Sequence, residues 1–320
     1  MTSSESQNSN NKSTNWEQVG EKFLGYRWGG DLGRSVGLSN DGSILVFHSQ
    51  ESDSFNSYIK AIKIYKRTNN QSWESFGELQ VEGSEYMPVA LSGNGKKLAI
   101  GATHDGVLIY SYNDQNWELD RKLPASNIHY SYWGHNLSIS DDGETIAVNN
   151  PGYDVFGSND NGRTIIYRFD GNNWNSIGHI TGKNNENYGY KYYYEKDTIS
   201  LSGDGNILLM NSNIYEYSDD IWKEIIIDGF DIPRNNTGTG DVSYNGEILL
   251  LGNSTFRKVD DKYEKINNSI FDTGSQARAE EKFSNPSLSN DGNYVAANGS
   301  SGLVVYKLQN NNWEEINSFG

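Results

Sequence analysis

Residues 137–148 read Leu-Ser-Ile-Ser-Asp-Asp-Gly-Glu-Thr-Ile-Ala-Val, a phrase that ends in Asp142-Gly143 and leads into an apolar run. An Asp-Gly pair between two apolar stretches is a strong signal for a tight turn that joins antiparallel strands. The stretch therefore predicts a β-hairpin. The phrase recurs at five further places, in each case before an apolar run: Val36–Gly42, Val89–Gly95, Ile199–Gly205, Val242–Gly246 and Pro286–Gly292.

Two more apolar segments follow each hairpin and complete a repeating unit. The third segment of five units ends its apolar run in tyrosine: Tyr65, Tyr110, Tyr167, Tyr217 and Tyr306. The fourth opens with a large aromatic residue: Trp73, Trp117, Trp174, Trp222, Tyr263 and Trp313. Four strands in roughly 40–60 residues are typical of a propeller blade, and blades bury their faces by stacking in a ring. The sequence predicts an all-β fold, a β-propeller of six blades with four antiparallel strands each. The repeated tryptophans are expected in the cores between blades.

The ends of the chain lie outside this repeat. Residues 1–14 are rich in Ser and Asn, and we expect a flexible N-terminal tail there, followed by a single propeller domain over residues 15–320. An additional aromatic-led strand is predicted at Trp16–Gly20. It either adds a fifth, outermost strand to the last blade or pairs with a second copy of the chain, which would give a homo-oligomer through the terminal strands.

Charge and composition exclude several classes of partner. The net charge is −16, with 42 acidic against 26 basic residues, which argues against nucleic acid or an anionic membrane as the main partner. The chain contains no cysteine, so thiolate chemistry and disulfides are excluded. Neither a signal peptide nor a membrane span is recognisable, and a soluble protein is expected. Its location stays open, with a virion or a cell-surface assembly among the alternatives.

The repeats resemble the FG-GAP-like and WD40-like propeller families. The match is best from Tyr132 to Gly143 and continues through Ala147–Gly152 and Gly162–Tyr167. The resemblance implies a propeller and leaves the function open, because such propellers serve adhesion, scaffolding and ligand binding alike. Integrin-type FG-GAP blades bind calcium through an Asp-x-Asp-x-Asp-Gly loop, which is missing here. We therefore expect neither a metal site nor a cofactor.

Antiparallel strand order places the connections on two faces. The short Asn/Asp-Gly turns fall on one face, which we call the turn face. The connections between second and third strands, and those between blades, fall on the other and differ widely in length; we call this the variable face. Long connections on a rigid scaffold usually carry binding, and Tyr and Trp suit recognition surfaces. The predicted binding residues on this face are Tyr26, Trp28, Tyr86, Tyr130, Tyr132, Trp133, Tyr188, Tyr190, Tyr192 and Tyr193. Packing between blades is the alternative interpretation of each ring.

No catalytic constellation is evident. Gly33-Arg-Ser-Val-Gly37 matches the nucleophile-elbow pattern, but an elbow needs a strand-to-helix turn, and Ser35 leads into a predicted inner strand. The histidines lie in different units without metal-ligand spacing. We therefore expect a non-enzymatic protein-binding module for adhesion or assembly that uses its aromatic-rich variable face. The alternative is a carbohydrate-binding lectin or a glycan-processing enzyme that uses the same face.

Overall fold

The computed structural model describes residues 16–25, 32–54, 57–82, 87–102, 106–124, 133–150, 162–181, 199–210, 213–228, 240–252, 254–266, 284–299 and 302–319. The strands in these ranges are β1 (Leu32–Leu38), β2 (Ile44–Ser54), β3 (Ser57–Arg67), β4 (Trp73–Gln80), β5 (Val89–Leu91), β6 (Lys97–Ala102), β7 (Gly106–Tyr112), β8 (Trp117–Leu123), β9 (Leu137–Ile139), β10 (Thr145–Asn150), β11 (Arg163–Phe169), β12 (Trp174–Thr181), β13 (Ile199–Leu201), β14 (Ile207–Met210), β15 (Asn213–Ser218), β16 (Ile221–Ile225), β17 (Gly240–Val242), β18 (Ile248–Leu251), β19 (Ser254–Val259), β20 (Lys262–Lys265), β21 (Ser284–Leu288), β22 (Tyr294–Gly299), β23 (Gly302–Gln309) and β24 (Asn312–Phe319).

The strands form six sheets of four, and in each sheet sequence neighbours are hydrogen-bonded neighbours. All pairings within the sheets are antiparallel, so every sheet is a meander. The predicted architecture, six blades of four antiparallel strands arranged as a β-propeller, is confirmed. Blade one comprises β1–β4, and the numbering continues in chain order to blade six, β21–β24.

The repeated phrase makes its turn through side chains as well as glycine. Ser140 Oγ donates to Asp142 Oδ1 at 2.5 Å and accepts the Thr145 N–H at 2.9 Å. Asp142 Oδ1 also accepts the Glu144 N–H at 2.8 Å. Gly143 has a φ of 76°, a left-handed conformation that favours glycine. The Ser-x-Asp-Gly pattern therefore supplies the hydrogen-bond donors and acceptors that close this turn, and the glycine that its backbone requires.

Each of the first five junctions between successive blades contains a hydrophobic cluster. Five of the six fourth-strand aromatics lie in or against these clusters, as predicted, and four of them are buried: Trp117, Trp174, Tyr263 and Trp313. Trp222 packs against the cluster between blades three and four while half-buried. Trp73 is half-buried and belongs to none of the five clusters, whereas each of the other five rings packs at the junction between its own blade and the preceding one.

Backbone hydrogen bonds between the hairpin turns tie the blades together around the axis. Asn40 N–H donates to Gly93 O at 2.9 Å, and Asp141 N–H donates to Gly203 O at 2.9 Å. Asp141 of blade three also links the first blade to the last. Its Oδ2 accepts hydrogen bonds from the side-chain amides of Asn40 in blade one and Asn290 in blade six. The axis is therefore crossed by polar contacts on the turn face.

The junction between blade six and blade one differs from the others. Leu38 of β1 is 54% exposed, whereas its counterparts in the other blades are at most 9% exposed. Those counterparts are Leu91, Ile139, Leu201, Val242 and Leu288. Each packs in the cluster between its own blade and the preceding one. Leu38 lacks that burial within the described part of the chain, so this junction is the least densely packed.

The N-terminal segment, residues 16–25, lies at this junction. Trp16 meets Phe319 of β24 edge-on, with ring centroids 6.0 Å apart, and Val19 O accepts a hydrogen bond from Trp73 Nε1 at 3.2 Å. The described segment contains no strand, so the prediction that Trp16–Gly20 adds a fifth strand to the last blade was wrong, whereas pairing with a second copy stays a prediction. The segment is held by the Trp16 ring against Phe319 and by the Val19 carbonyl group against the Trp73 indole, contacts that do not need an extended backbone.

Candidate functional site

Most of the predicted binding residues lie outside the described residues. They are Tyr26, Trp28, Tyr86, Tyr130, Tyr132, Tyr188, Tyr190, Tyr192 and Tyr193.

Trp133 is described, and its position corrects its assignment to the binding surface. Its side chain is 1% exposed and packs in the cluster between blades two and three, against residues such as Val107 and Ile139. The backbone explains this placement, because Gly134 N–H donates to Asn149 O at 3.0 Å, and Asn149 N–H donates to Asn136 O at 3.0 Å. The chain therefore already runs alongside β10 at residue 134, and this carries the indole ring into the junction.

Ser35, the centre of the elbow-like sequence, has a structural contact. It lies within β1, and its Oγ accepts the backbone N–H of Val89 in blade two at 2.9 Å. Ser138 makes the equivalent link between blades three and four, because its Oγ accepts the Leu201 N–H at 2.9 Å. These hydroxyl groups connect inner strands of neighbouring blades.

Histidine 135 lies just before β9, near the variable face. Burial lowers the pKa of His135, and the positive charge of Arg34 lowers it further. The neutral imidazole is therefore the favoured form at neutral pH. A group of three or more His, Asp or Glu side chains arranged to hold a metal ion is not found among the described residues.

The described residues form a small pocket beside the N-terminal segment, on blade one. Its volume is about 70 Å³, and its lining residues are Phe23, Leu24, Gly25, Leu32, Phe47, Ser49, Gln50, Lys63 and Tyr65. The segment supplies one wall, and the other walls come from the first three strands of blade one. Gly25 is the last described residue of this segment, and the predicted binding residues Tyr26 and Trp28 follow it in the sequence. We call this cavity the seam pocket.

Aromatic rings make the apolar side of the seam pocket. Phe47 and Tyr65 stack almost in parallel, with centroids 5.6 Å apart and an interplanar angle of 8°. Phe23 leans against both rings, at centroid distances of 5.1 Å and 4.7 Å. Because Phe47 and Lys63 are directly paired across β2 and β3, the register of this hairpin places a cationic side chain next to the rings.

The polar side of the seam pocket includes a buried amide. Gln50 is 8% exposed, and its Oε1 accepts no hydrogen bond within the described part of the protein. Sequence reasoning missed this residue, because Gln50 follows a run that reads as an ordinary strand. A polar pair within the second strand, Ser49-Gln50, was the available signal, because Ser49 stands where blade two has Ala102.

Comparison with known proteins supports the fold. Neither a protein-family model nor a curated protein sequence matches the chain. Among solved structures, a protein from Lactobacillus plantarum is similar with a TM-score of 0.55, at 12% identity over 89% of this chain and 83% of its own. At this identity the similarity concerns the fold alone. Together with the six meander sheets, it defines the chain as a β-propeller protein. The described residues include no helix long and apolar enough to cross a membrane.

Proposed function

We propose that this propeller is a non-enzymatic binding module for adhesion or assembly, and that a protein partner docks on its variable face. The observation that supports this proposal is the division between the faces. The turn face is closed by short, internally hydrogen-bonded turns, as at Ser140 and Asp142, and by the polar contacts of Asp141. The variable face is the one to which strand order assigns the long connections that carry the aromatic residues.

The proposal predicts which face touches a partner. Lys60 lies in the first half of β3, near the variable face, whereas Lys96 follows a hairpin turn on the turn face. When the protein is cross-linked within its native assembly and analysed by mass spectrometry, we expect links to the partner from Lys60 and none from Lys96. Links that concentrate at Lys96 would overturn the proposal.

A matched pair of variants provides a second measurement of the same proposal. Replacing Tyr190 and Tyr192 by Ala should weaken incorporation into the assembly by about tenfold or more, because aromatic anchors dominate interface energies. The control is Tyr244→Ala, since Tyr244 is 46% exposed and belongs to a hairpin turn on the turn face. Equal effects of the two changes would contradict docking through the variable face.

A lectin or glycan-processing role is the second candidate, and the seam pocket favours it. Aromatic rings beside hydrogen-bonding side chains are a common setting for a sugar, because C–H groups pack on the rings while hydroxyl groups meet the polar side. A glycan-array screen tests this candidate. Turnover of any glycoside by the purified protein would replace the non-enzymatic assignment.

A further inference from the structure

The outer strand of blade five, β20, has a regular free edge. Bulges interrupt the pairing of β4, β8, β12 and β24 with the third strands of their blades, whereas β20 pairs with β19 in continuous register. Bulges are one device that keeps edge strands from pairing with another chain. In the described part of the chain, β20 has β19 as its one hydrogen-bonded neighbour, so its other edge can accept a further strand.

The hairpin turn before β20 fixes which backbone groups face this edge. Asp260 and Asp261 have φ values of 47° and 64°, as in a two-residue turn. The residues that flank the turn, Val259 and Lys262, are directly paired and form a hydrogen-bonded pair, and the pattern then alternates along the strand. The backbone N–H and C=O groups of Tyr263, the next residue of β20, therefore point away from β19.

The charged side chains of β20 have no partners within the described part of the chain. Lys262, Glu264 and Lys265 are all exposed, and none of them forms an ion pair or a hydrogen bond with a described residue. Tyr263 differs, because its ring is buried and its hydroxyl group donates to Gly246 O at 2.6 Å. The edge therefore presents a positive, a negative and a positive side chain, in that order.

These charges complement each other when two copies of β20 pair in the antiparallel direction. With Tyr263 opposite Tyr263 of the second copy, Lys262 of each copy lies opposite Glu264 of the other, and Lys265 faces the turn residue Asp261. The alternation of the backbone groups allows the strands to slide only in steps of two residues. One such step places Glu264 opposite Glu264, or Lys262 opposite Lys262, and like charges directly opposite each other are destabilising. The charges therefore select one register.

The outer strand of blade four, β16, also lacks a bulge but fails the same test. The antiparallel register in which two copies of β16 overlap fully places Lys223 opposite Lys223. Lys223 also has a partner within the chain, because its Nζ lies 2.6 Å from Asp219 Oδ2. Of the two outer strands without a bulge, β20 is thus the one that is self-complementary.

The overall charge of the chain opposes association least at this edge. The net charge is −16, but residues 254–266 include four basic and three acidic residues. At physiological ionic strength, exposed charges further apart than about 8 Å are largely screened from each other. The side chains nearest to the contact therefore decide whether two copies attract.

From these features we propose that the protein forms a twofold symmetric dimer in which the β20 strands of two copies pair in the antiparallel direction. Tyr263 lies at the symmetry axis, with a Lys262–Glu264 ion pair on either side of it. A twofold contact uses the same surface of both copies, and a strand with self-complementary charges meets that requirement. The joined sheet has eight strands, four from blade five of each copy.

The antiparallel direction determines how the two propellers are oriented. It inverts one propeller relative to the other, so that the two variable faces point in opposite directions. The dimer then binds two partners on opposite sides, a consequence that rests on the proposed function, whereas dimer formation itself does not. A wild-type protein that is always monomeric would exclude the dimer and leave docking through the variable face unaffected.

Sedimentation equilibrium of the full-length protein tests the dimer. We expect the measured mass to rise from 35.9 kDa towards twice that value as the concentration increases, because a contact along one strand edge is small and reversible. A mass that stays at 35.9 kDa at about 0.1 mM protein, where a dimer with a micromolar dissociation constant would predominate, would overturn the proposal.

Charge reversal locates the contact. Lys262→Glu and Glu264→Lys each create two like-charge pairs in the symmetric dimer and should weaken association by about tenfold or more. The matched control is Glu118→Lys on β8, an outer strand with a bulge, and this variant should dimerise like the wild type. Melting temperatures show whether each variant stays folded. Equal association of the wild type and of both β20 variants would refute the contact.

Mixing the two β20 variants tests the register. In a mixed dimer, Glu at position 262 of one chain lies opposite Lys at position 264 of the other, and both remaining pairs of the register are attractive. An equimolar mixture should therefore form a heterodimer, although neither variant dimerises well alone. The double variant with Lys262→Glu and Glu264→Lys in one chain should dimerise like the wild type. If neither the mixture nor the double variant associates, the register is wrong and the proposal fails.

Discussion

Asp241 shows at the scale of one residue how neighbouring blades are joined. It is a half-buried carboxyl group on the inner strand β17 of blade five. Its Oδ1 accepts a hydrogen bond from Ser200 Oγ of blade four at 2.6 Å, and its Oδ2 accepts the Leu288 N–H of blade six at 2.8 Å. One side chain therefore bridges three blades, as Ser35 and Ser138 bridge two.

The environment of Asp241 predicts a pH dependence of stability. Burial raises its pKa above the ordinary value, although the hydrogen bonds from Ser200 and the Leu288 N–H oppose this change. Its contribution to stability is therefore fully present below the ordinary pKa of about 3.9 and is lost as the pH rises through the raised value. Each unit by which the pKa is raised corresponds to about 1.4 kcal/mol.

The variant Asp241→Asn isolates this effect, because all other titrating groups are common to both proteins and cancel in the comparison. Thermal unfolding of wild type and variant, measured from pH 3 to pH 8, should show the wild type losing stability relative to the variant as the pH rises. Parallel curves over that range would show that the Asp241 carboxyl group does not titrate with a raised pKa.

The N-terminal segment is the element that departs most from the repeat. The sequence Trp-x-x-x-Gly occurs at Trp16–Gly20 and again at Trp73–Gly77 of β4. In both cases the glycine lies against the fourth-strand tryptophan of the following blade. A Cβ atom on Gly77 would lie 3.0 Å from Trp117, and one on Gly20 would lie 2.8 Å from Trp73. The segment thus makes towards blade one the contact that β4 makes towards blade two.

Two alanine substitutions test whether this contact holds the segment in place. Gly20 and Gly33 have nearly the same φ, 72° and 74°, but a Cβ atom on Gly33 would meet nothing within 4 Å. Both changes carry the backbone cost of alanine at positive φ, whereas Gly20→Ala also displaces the Trp73 ring. We expect Gly20→Ala to lower the unfolding free energy by about 1–2 kcal/mol more than Gly33→Ala.

Urea denaturation followed by tryptophan fluorescence measures this difference. The emission of Trp73 should also move to longer wavelength in Gly20→Ala, because the segment no longer covers the ring. Indistinguishable unfolding curves for the two variants would mean that the segment adds nothing to the stability of blade one.

At the scale of the whole molecule, the junctions between blades are packed unevenly around the ring. Exposed apolar side chains concentrate where blades six and one meet, among them Val36 at 60%, Leu38 at 54% and Leu303 at 39%. Since the stability of a propeller depends on interfaces between neighbours, local opening should be easiest at the junction with the least burial.

The exchange rates of backbone amide hydrogens test this prediction directly. Amides of β1 should exchange at least about tenfold faster than those of β13, the equivalent strand of blade four, because Leu38 is exposed where Leu201 is 6% exposed. Asn40 N–H, which donates to Gly93 O on the turn face, provides an internal reference within blade one. Equal protection of β1 and β13 would show that the ring is uniformly stable.

The sequence by itself determined the blades. Each Ser-x-Asp-Gly phrase carries its own turn chemistry, and each fourth-strand aromatic residue occupies the same place in its unit, so local signals and their repetition were enough to predict six four-stranded sheets. These turn contacts can be predicted from the sequence because the donors, the acceptors and the turn glycine lie within a few residues of each other, as Ser140, Asp142 and Gly143 do.

Only the tertiary structure decided which residues from distant parts of the chain contact each other and which of them are buried. Trp133, Phe23 and Phe47 are all aromatic residues, and the sequence does not tell which of them is buried between blades. Trp133 is buried between blades two and three, whereas Phe23 and Phe47 line a pocket. The position of residues 16–25 against blade one likewise depends on contacts such as Val19 O to Trp73. The physical reason is that burial is set by whichever surfaces the closing ring brings together, and no local pattern encodes that.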